Sequence, residues 1–336
     1  MPARQRTILS ATANNNAGSA NDGGAATPAP SESALFTALL LALWYGLSII
    51  NNQTTKTLVA FIGPEVLTLI QFVISATCGA LVLRLTPQAA GTLKAARTSR
   101  LGFTTSAQLF DTACLAAAFL AGAASLNACF TMMHVSLAMV LRAAEPLTTL
   151  ILSALMLPAS EQPSRAKAAA LLPVVLGCAL SALGAHGPSA RALLLVSASN
   201  VCFSLRAILG KRVTRAHGTG PVTLFFQMCV LGAGMQAALL VARAAVRGPA
   251  LVIPPLATLT RSPLMLLLCG VSFFGQLQLS FVCLGRMSAV SHSLANSMRR
   301  PATIAAAVLF APAPLTALNW AGVGVACAGA LLYGLL

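Results

Sequence analysis

Apolar positions in this chain form neither alternating strands nor 3.6-residue stripes. From Ala34 onward they fill long runs of about 20 residues, the length a helix needs to cross the hydrocarbon core of a bilayer. Such runs read at 34–57, 64–84, 106–132, 135–157, 165–185, 190–210, 221–245, 262–284, 288–310 and 314–335. The breaks fall on turn or charge signals: Gly63-Pro64, Thr86 to Arg100, Pro158 to Pro163, Gly187-Pro188, Lys211 to Pro221, Gly248 to Pro255 and Ala311 to Pro314. The pattern predicts an all-α integral membrane protein with ten transmembrane helices over residues 34–336. Residues 1–33 are polar and rich in Ala, Ser, Asn and Gly, with Arg4 and Arg6 and no apolar core. They read as a disordered leader, with a short transit peptide as the alternative, and not as a secretory signal.

Composition agrees. Of the 336 residues 57% are hydrophobic and 8% charged, against roughly 25% charged in soluble domains, and the mean hydropathy is +0.83. The formal net charge of +15 would suggest nucleic acid in a soluble chain, but no basic cluster interleaved with aromatics is present, so no nucleic-acid partner is expected. The charge reads as topology instead. Arg4, Arg6, Arg84, Lys94, Arg97, Arg100, Arg165, Lys167, Lys211, Arg212, Arg215 and Arg286 fall on the side of the termini. Lys56, Arg191, Arg243, Arg247 and Arg261 fall on the other. Both termini are therefore predicted to be cytosolic. The 9 cysteines lie within apolar runs without a CxxC pair and read as small packing residues, with no disulfide framework, metal or cofactor site implied.

Within this frame the chain carries an internal repeat. Val135-Ser136 precedes Glu145-Pro146 at the same offset at which Val290-Ser291 precedes Arg300-Pro301. Val175-Leu176-Gly177-Cys178-Ala179 loosely matches Val323 to Ala328. Each motif lies in the fourth helix of its half, so the expectation is two five-helix repeats, 34–185 and 190–336. Five is odd, so the second enters the membrane inverted, the architecture of secondary transporters.

The charges inside spans are Arg142, Arg206, Arg299 and Arg300 against Asp111 and Glu145. Each costs at least about 2.5 kcal/mol on insertion scales, so each asks for a reason. The surplus of positives is what a dianion would neutralise, and guanidinium forks suit phosphate oxygens. Arg142 and Glu145, spaced i, i+3, are also placed to pair on one helix face. Arg206 is close enough to Lys211 to snorkel to the interface, and Asp111 either pairs with Arg206 or sits near a helix end. Arg299 and Arg300, adjacent and mid-span before Pro301, are the strongest anion-site candidates. His292 reads as a capping or gating side chain. The sequon Asn52-Gln53-Thr54 falls at the end of the first predicted span.

These residues carry a resemblance. Trp44-Tyr45 with Asn51 and Lys56 resembles the first helix of the triose-phosphate-translocator family of the drug/metabolite transporter superfamily. Leu126-Asn127 through Val135-Ser136-Leu137-Ala138-Met139-Val140-Leu141-Arg142-Ala143-Ala144-Glu145-Pro146 resembles its "TNVSL…VSFTHxxKAxEP" signature. Ser199-Asn200, Phe203, Arg206 and Lys211 resemble its sixth helix, and Leu284-Gly285-Arg286-Met287-Ser288 through His292 to Arg299-Arg300 resembles "LDRVSPLTHSVGNxxKR". The resemblance implies a secondary antiporter that exchanges a phosphorylated metabolite for phosphate by alternating access, not an enzyme. It implies that Arg142, Arg299 and Arg300 grip the phosphate. The leading reading then sets Asn127 and Gln276 against the rest of the metabolite, and the span charges Glu145, Arg206 and Asp111, with His292, read as gating or charge partners. The family's upstream histidine and threonine fall on Ala123 and Leu126 and its closing tyrosine on Gln276, compatible with a bulkier or differently hydrogen-bonded anion. An ER or Golgi nucleotide-sugar antiporter, with a nucleotide as counter-substrate, uses the same fold. A non-transporting scaffold on that fold is the reading from a different class. A plastid envelope or an ER/Golgi membrane is the implied location.

Overall fold

The computed structural model describes residues 30–85, 102–156, 165–183, 188–249, 252–284 and 316–335, together with 295, 296, 299, 302–304, 306 and 309. The leader up to residue 29, His292, Arg300 and most of the expected ninth span, 288–310, lie outside the described residues. Two compact units are distinguished, Met1–Phe36 and Thr37–Leu336. The packing that positions the site lies within the second.

Every element among the described residues is helical: α1 (Pro30–Ile62), α2 (Pro64–Leu85), α3 (Ser106–Phe130), α4 (Val135–Arg142), α5 (Glu145–Met156), α6 (Arg165–Leu183), α7 (Ala190–His217), α8 (Pro221–Arg247), α9 (Leu256–Thr260), α10 (Pro263–Leu284) and α11 (Ala317–Leu335). Among the described residues seven stretches are long and apolar enough to cross a membrane, counting α4 and α5 together as Val135–Met156. The fifth and tenth expected spans contain shorter apolar stretches, Ala168–Leu180 and Ala317–Tyr333.

Local chemistry sets the ends. The Thr105 hydroxyl accepts from Gln108 N at 3.1 Å, capping α3. Gly218, at φ +62°, closes α7 in the left-handed conformation, and Pro221 opens α8, where a missing N–H costs nothing. The fourth predicted span is two helices. Pro146 has no N–H to offer the Arg142 carbonyl, so the ladder breaks there and tightens to i→i−3 bonds, Ala144 N to Leu141 O at 3.2 Å and Leu147 N to Ala144 O at 2.9 Å.

Helix α1 starts at Pro30 and runs to Ile62, not 34 to 57, because no breaker occurs before Gly63. Two expectations change with it. Lys56 is a helix residue and not a loop charge: its ammonium donates to the carbonyls of Phe130 and, at 3.0 Å, Met133, where α3 ends with its partial negative charge. Asn52 lies well inside α1, 7% exposed, not at the end of a span.

Close approaches hold the bundle together. Helices α6 and α11 pack most extensively, followed by α3 with α7 and α2 with α8. At two of these crossings a glycine on each helix receives the other. Phe226 of α8 lies against Gly79 of α2, and Phe72 of α2 against Gly232 of α8. Ala326 of α11 lies against Gly177 of α6, and Val174 of α6 against Gly329 of α11, where a Cβ would stand 2.7 Å from the Val174 nitrogen. Small residues let membrane helices approach to backbone contact. Inside, Phe119 of α3 is the hub of an aromatic cluster, with ring centroids 5.0 Å from Phe72, 5.9 Å from Phe273, 6.0 Å from Phe225 and 6.1 Å from Phe203. Large aliphatics such as Leu155, Leu264 and Val246 face outward, where lipid is their solvent.

Candidate functional site

The break between α4 and α5 opens onto a cavity of about 120 Å³. Helix α1 contributes Ser48, Asn51 and Asn52, α3 Phe119 and Leu126, and the broken helix Met139, Arg142 and Glu145. Helix α7 adds Phe203 and Arg206, α10 adds Phe273, Gln276 and Leu277, and Arg299 and Thr303 complete the wall. Three arginines from three different elements therefore meet around one glutamate, a surplus of two positive charges among the described lining residues.

The two sides of this cavity are built differently. On one, Arg142 and Glu145 form an ion pair at 2.7 Å, with side chains 16% and 23% exposed. The Arg142 guanidinium carbon lies 4.5 Å from the Phe203 ring centre, and that of Arg206 lies 5.3 Å from Phe119 and 6.0 Å from Phe203. A guanidinium on a ring face is steadied by the quadrupole while its N–H edge stays available. The Arg206 Nε has no hydrogen-bond partner among the described residues.

Helix α7 also braces the break itself. Asn200 Nδ2 donates to Leu141 O at 3.1 Å, and Ser204 Oγ donates to Glu145 O at 3.2 Å. The hydroxyls of Thr148 and Thr149 lie 2.6 and 2.8 Å from Ser204 Oγ and donate to the same Glu145 carbonyl. The backbone carbonyls on both sides of the break thus take side-chain donors, Leu141 from α7 and Glu145 from α7 and α5.

Elsewhere in the wall Arg299 lies 5.4 Å from the Trp44 ring centre and donates to Gln276 Oε1 at 3.4 Å. The Tyr45 hydroxyl donates to the Ala295 carbonyl, tying α1 to the helical residues before Arg299. No acidic side chain lines this side among the described residues.

Of the residues singled out in the sequence, Arg142, Arg206, Arg299, Glu145 and Gln276 come together here. Arg206 turns to the cavity, not to the interface. Leu126 lines the wall, and Ala123 is buried in the aromatic cluster behind it. Asn127 is elsewhere: its amide donates to Thr68 Oγ1 and Gln71 Oε1, each at 2.9 Å, in a buried network that Gln71 extends to Thr55 of α1 and Cys269 of α10. Asp111 pairs with His217 at 3.0 Å, near the ends of α3 and α7, and not with Arg206. Sequence reasoning assigned no site role to Ser48, Asn51, Asn52 or Thr303. Consecutive amides in an apolar run were the available signal, since in lipid such groups turn toward protein. Among the described residues no cluster of metal-ligating side chains occurs.

Comparison with known proteins places these features in context. The model of the Triose-phosphate Transporter family matches residues 35–334. Phosphoenolpyruvate/phosphate translocator 3, chloroplastic, of Oryza sativa subsp. japonica is 31% identical over 232 residues, 68% of this chain; the match spans 58% of that protein's length. Phosphoenolpyruvate/phosphate translocator 1, chloroplastic, of the same plant is 30% identical over 305 residues, covering 88% of this chain and 71% of the relative. Triose phosphate/phosphate translocator, non-green plastid, chloroplastic, of Brassica oleracea var. botrytis is 27% identical over 299 residues, covering 88% and 71%. A crystal structure 15% identical in sequence has the same fold at a TM-score of 0.55, over 90% of this chain and 96% of that one.

Proposed function

This chain belongs to the Triose-phosphate Transporter family, whose members are transporters and not enzymes, and on that premise we propose that it exchanges a phosphorylated organic metabolite for inorganic phosphate. The observation that carries this reading is the convergence of Arg142, Arg206 and Arg299 on one cavity with a single carboxylate, Glu145. In a low-dielectric site the net positive charge of this described lining resists any closure that strips it of water. A phosphate dianion neutralises it and lets the carrier isomerise. The empty carrier stays where it is, and exchange proceeds one for one.

Arg299 and the adjacent Arg300 grip the phosphate, with Arg142 as the third cation. Gln276 contacts the remainder of the metabolite, supported by its place beside Arg299 in the cavity wall, while Glu145 and Arg206 serve as charge partners there and His292 as a gating side chain. Asn127, held by Thr68 and Gln71, and Asp111, paired with His217, act on the packing of the helices and not on the metabolite. Arg206 stands apart from the Arg299 side and suits a second anionic or strongly polar group on the metabolite, in keeping with the phosphoenolpyruvate named in two relatives.

Ten spans in two inverted five-helix repeats are supported by the reciprocal glycine contacts. Between α2 and α8, and again between α6 and α11, corresponding helices of the two halves exchange roles at the crossing, as isologous contacts about a two-fold axis do. Alternating access would move one repeat against the other around the cavity. The plastid names of the relatives favour the plastid envelope over an ER or Golgi membrane, with both termini cytosolic.

Counter-exchange by purified protein in liposomes tests this directly. Labelled phosphate is offered outside vesicles preloaded with phosphate, phosphoenolpyruvate, triose, pentose or hexose phosphates, or nucleotides. Uptake driven by phosphate and by a phosphorylated carbon compound is the expected result. Nucleotide-sugar uptake against a nucleotide, with no phosphate uptake, would move the chain to the nucleotide-sugar exchangers.

A further inference from the structure

Outside the central cavity, cationic side chains gather at both ends of the bundle, and the two gatherings differ. One cleft, of about 420 Å³, lies at the α1–α2 turn and the end of α8; its lining includes Arg243, Arg247 and Glu65. Glu65 is ion-paired with Arg243 and so uses up one of its charges. A second cleft, of about 350 Å³, lies between the end of α5 and the last turns of α7. It is lined by the apolar Met156, Ile208 and Leu209 and by Lys211, Arg212 and Arg215, with no acidic residue among the described lining residues.

Helix α7 has 28 residues, so at 1.5 Å per residue it is roughly 42 Å long and exceeds the ~30 Å hydrocarbon core. Its excess length puts Lys211 to Arg215 at headgroup level. The negative end of the helix dipole points the same way and favours cations there. On α5 and α7, Leu155 is 77% and Val201 42% exposed, so the cleft opens onto apolar surface that acyl chains can cover. Three cations and an apolar lining match a ligand that is anionic at one end and aliphatic at the other.

We propose that this cleft holds the headgroup of an anionic phospholipid, its phosphate among Lys211, Arg212 and Arg215 and its chains along α5 and α7. Arginine forks bind phosphate oxygens in pairs and the lysine adds a mobile point charge. The lipid would fasten the end of α7, the helix that also carries Arg206 and braces the α4–α5 break, to one leaflet. The proposal does not depend on which metabolite is transported.

The test is lipid binding to the purified full-length chain in neutral detergent, followed by native mass spectrometry. Phosphatidylglycerol and phosphatidylcholine of identical chains are titrated separately. The expected result is at least tenfold tighter binding of phosphatidylglycerol. Lys211→Gln, Arg212→Gln and Arg215→Gln should each weaken it about fivefold, while the pair Arg243→Gln/Arg247→Gln leaves it unchanged. Single variants carry the test, so misinsertion of the triple variant would not obscure it. Equal binding of the two lipids, or single variants that bind phosphatidylglycerol like the wild type, would overturn the proposal. So would a preference lost only in the Arg243/Arg247 pair. Full displacement of phosphatidylglycerol by millimolar inorganic phosphate would show a free-anion site instead of a lipid site.

Discussion

Across the cavity, two arginines sit in opposite circumstances. Arg142 faces Glu145 at 2.7 Å on a broken helix braced by Asn200 and Ser204. Arg299 faces Gln276 at 3.4 Å and the Trp44 ring, without a carboxylate in the described wall. The first charge is compensated before any ligand arrives. The second is met in the described wall by neutral groups, an amide oxygen and an indole ring. A charge paired with a carboxylate is largely a structural element, whose loss is felt in the fold, whereas one held among neutral groups keeps its net charge for an anion and belongs to function.

The contrast is sharpest under substitution. Arg299→Ala removes the cation beside Gln276 and Trp44 and its charge-assisted bonds to phosphate, so exchange falls at least about a hundredfold, with a smaller loss of thermal stability than at the Arg142–Glu145 pair. Initial uptake rates and a melting curve on the same preparation check both halves. Glu145→Gln does the reverse in emphasis. It strands Arg142 and costs about 2 kcal/mol of stability, less than the ~3–5 kcal/mol of a fully buried pair because both side chains keep some exposure. A melting temperature unchanged by Glu145→Gln would erase the distinction.

Smaller changes refine it. Ser204→Ala withdraws the hydroxyl that joins Thr148, Thr149 and the Glu145 carbonyl, and a loss of about 1 kcal/mol with a few-fold slower exchange is expected. Gln276→Ala touches only a long, weak bond to Arg299. It should alter the ranking of carbon substrates while phosphate-for-phosphate exchange holds within about twofold, as a competition series over the preloaded panel would show.

Much of this arrangement was legible before any coordinates. Apolar runs and their Gly/Pro breaks located the helices, because lipid leaves backbone no alternative to helical pairing. Arg142, Arg206, Arg299 and Glu145 stood out because charge is so rare in such runs. Direction was harder to read. In a soluble helix the apolar stripe marks the inner face, but α3 has no single apolar stripe, and nothing in its periodicity says that Asn127 turns to Thr68 and Gln71 instead of the cavity. Asp111 and His217 are 106 residues apart, so their pairing depends on how α3 crosses α7. Lys56 looked like a loop charge because its partners are the Phe130 and Met133 carbonyls, which have no signature in composition. The breadth of the polar wall, with Ser48, Asn51, Asn52 and Thr303, likewise emerges only when α1 is set against the other helices.

The central claim is that a surplus of positive charge holds the empty carrier still until an anion cancels it. Uptake of labelled phosphate by wild-type protein is therefore to be compared between phosphate-loaded and unloaded liposomes, with the membrane potential clamped at zero. The account predicts uptake at least about tenfold faster into loaded vesicles. Equal rates into loaded and empty vesicles would contradict it.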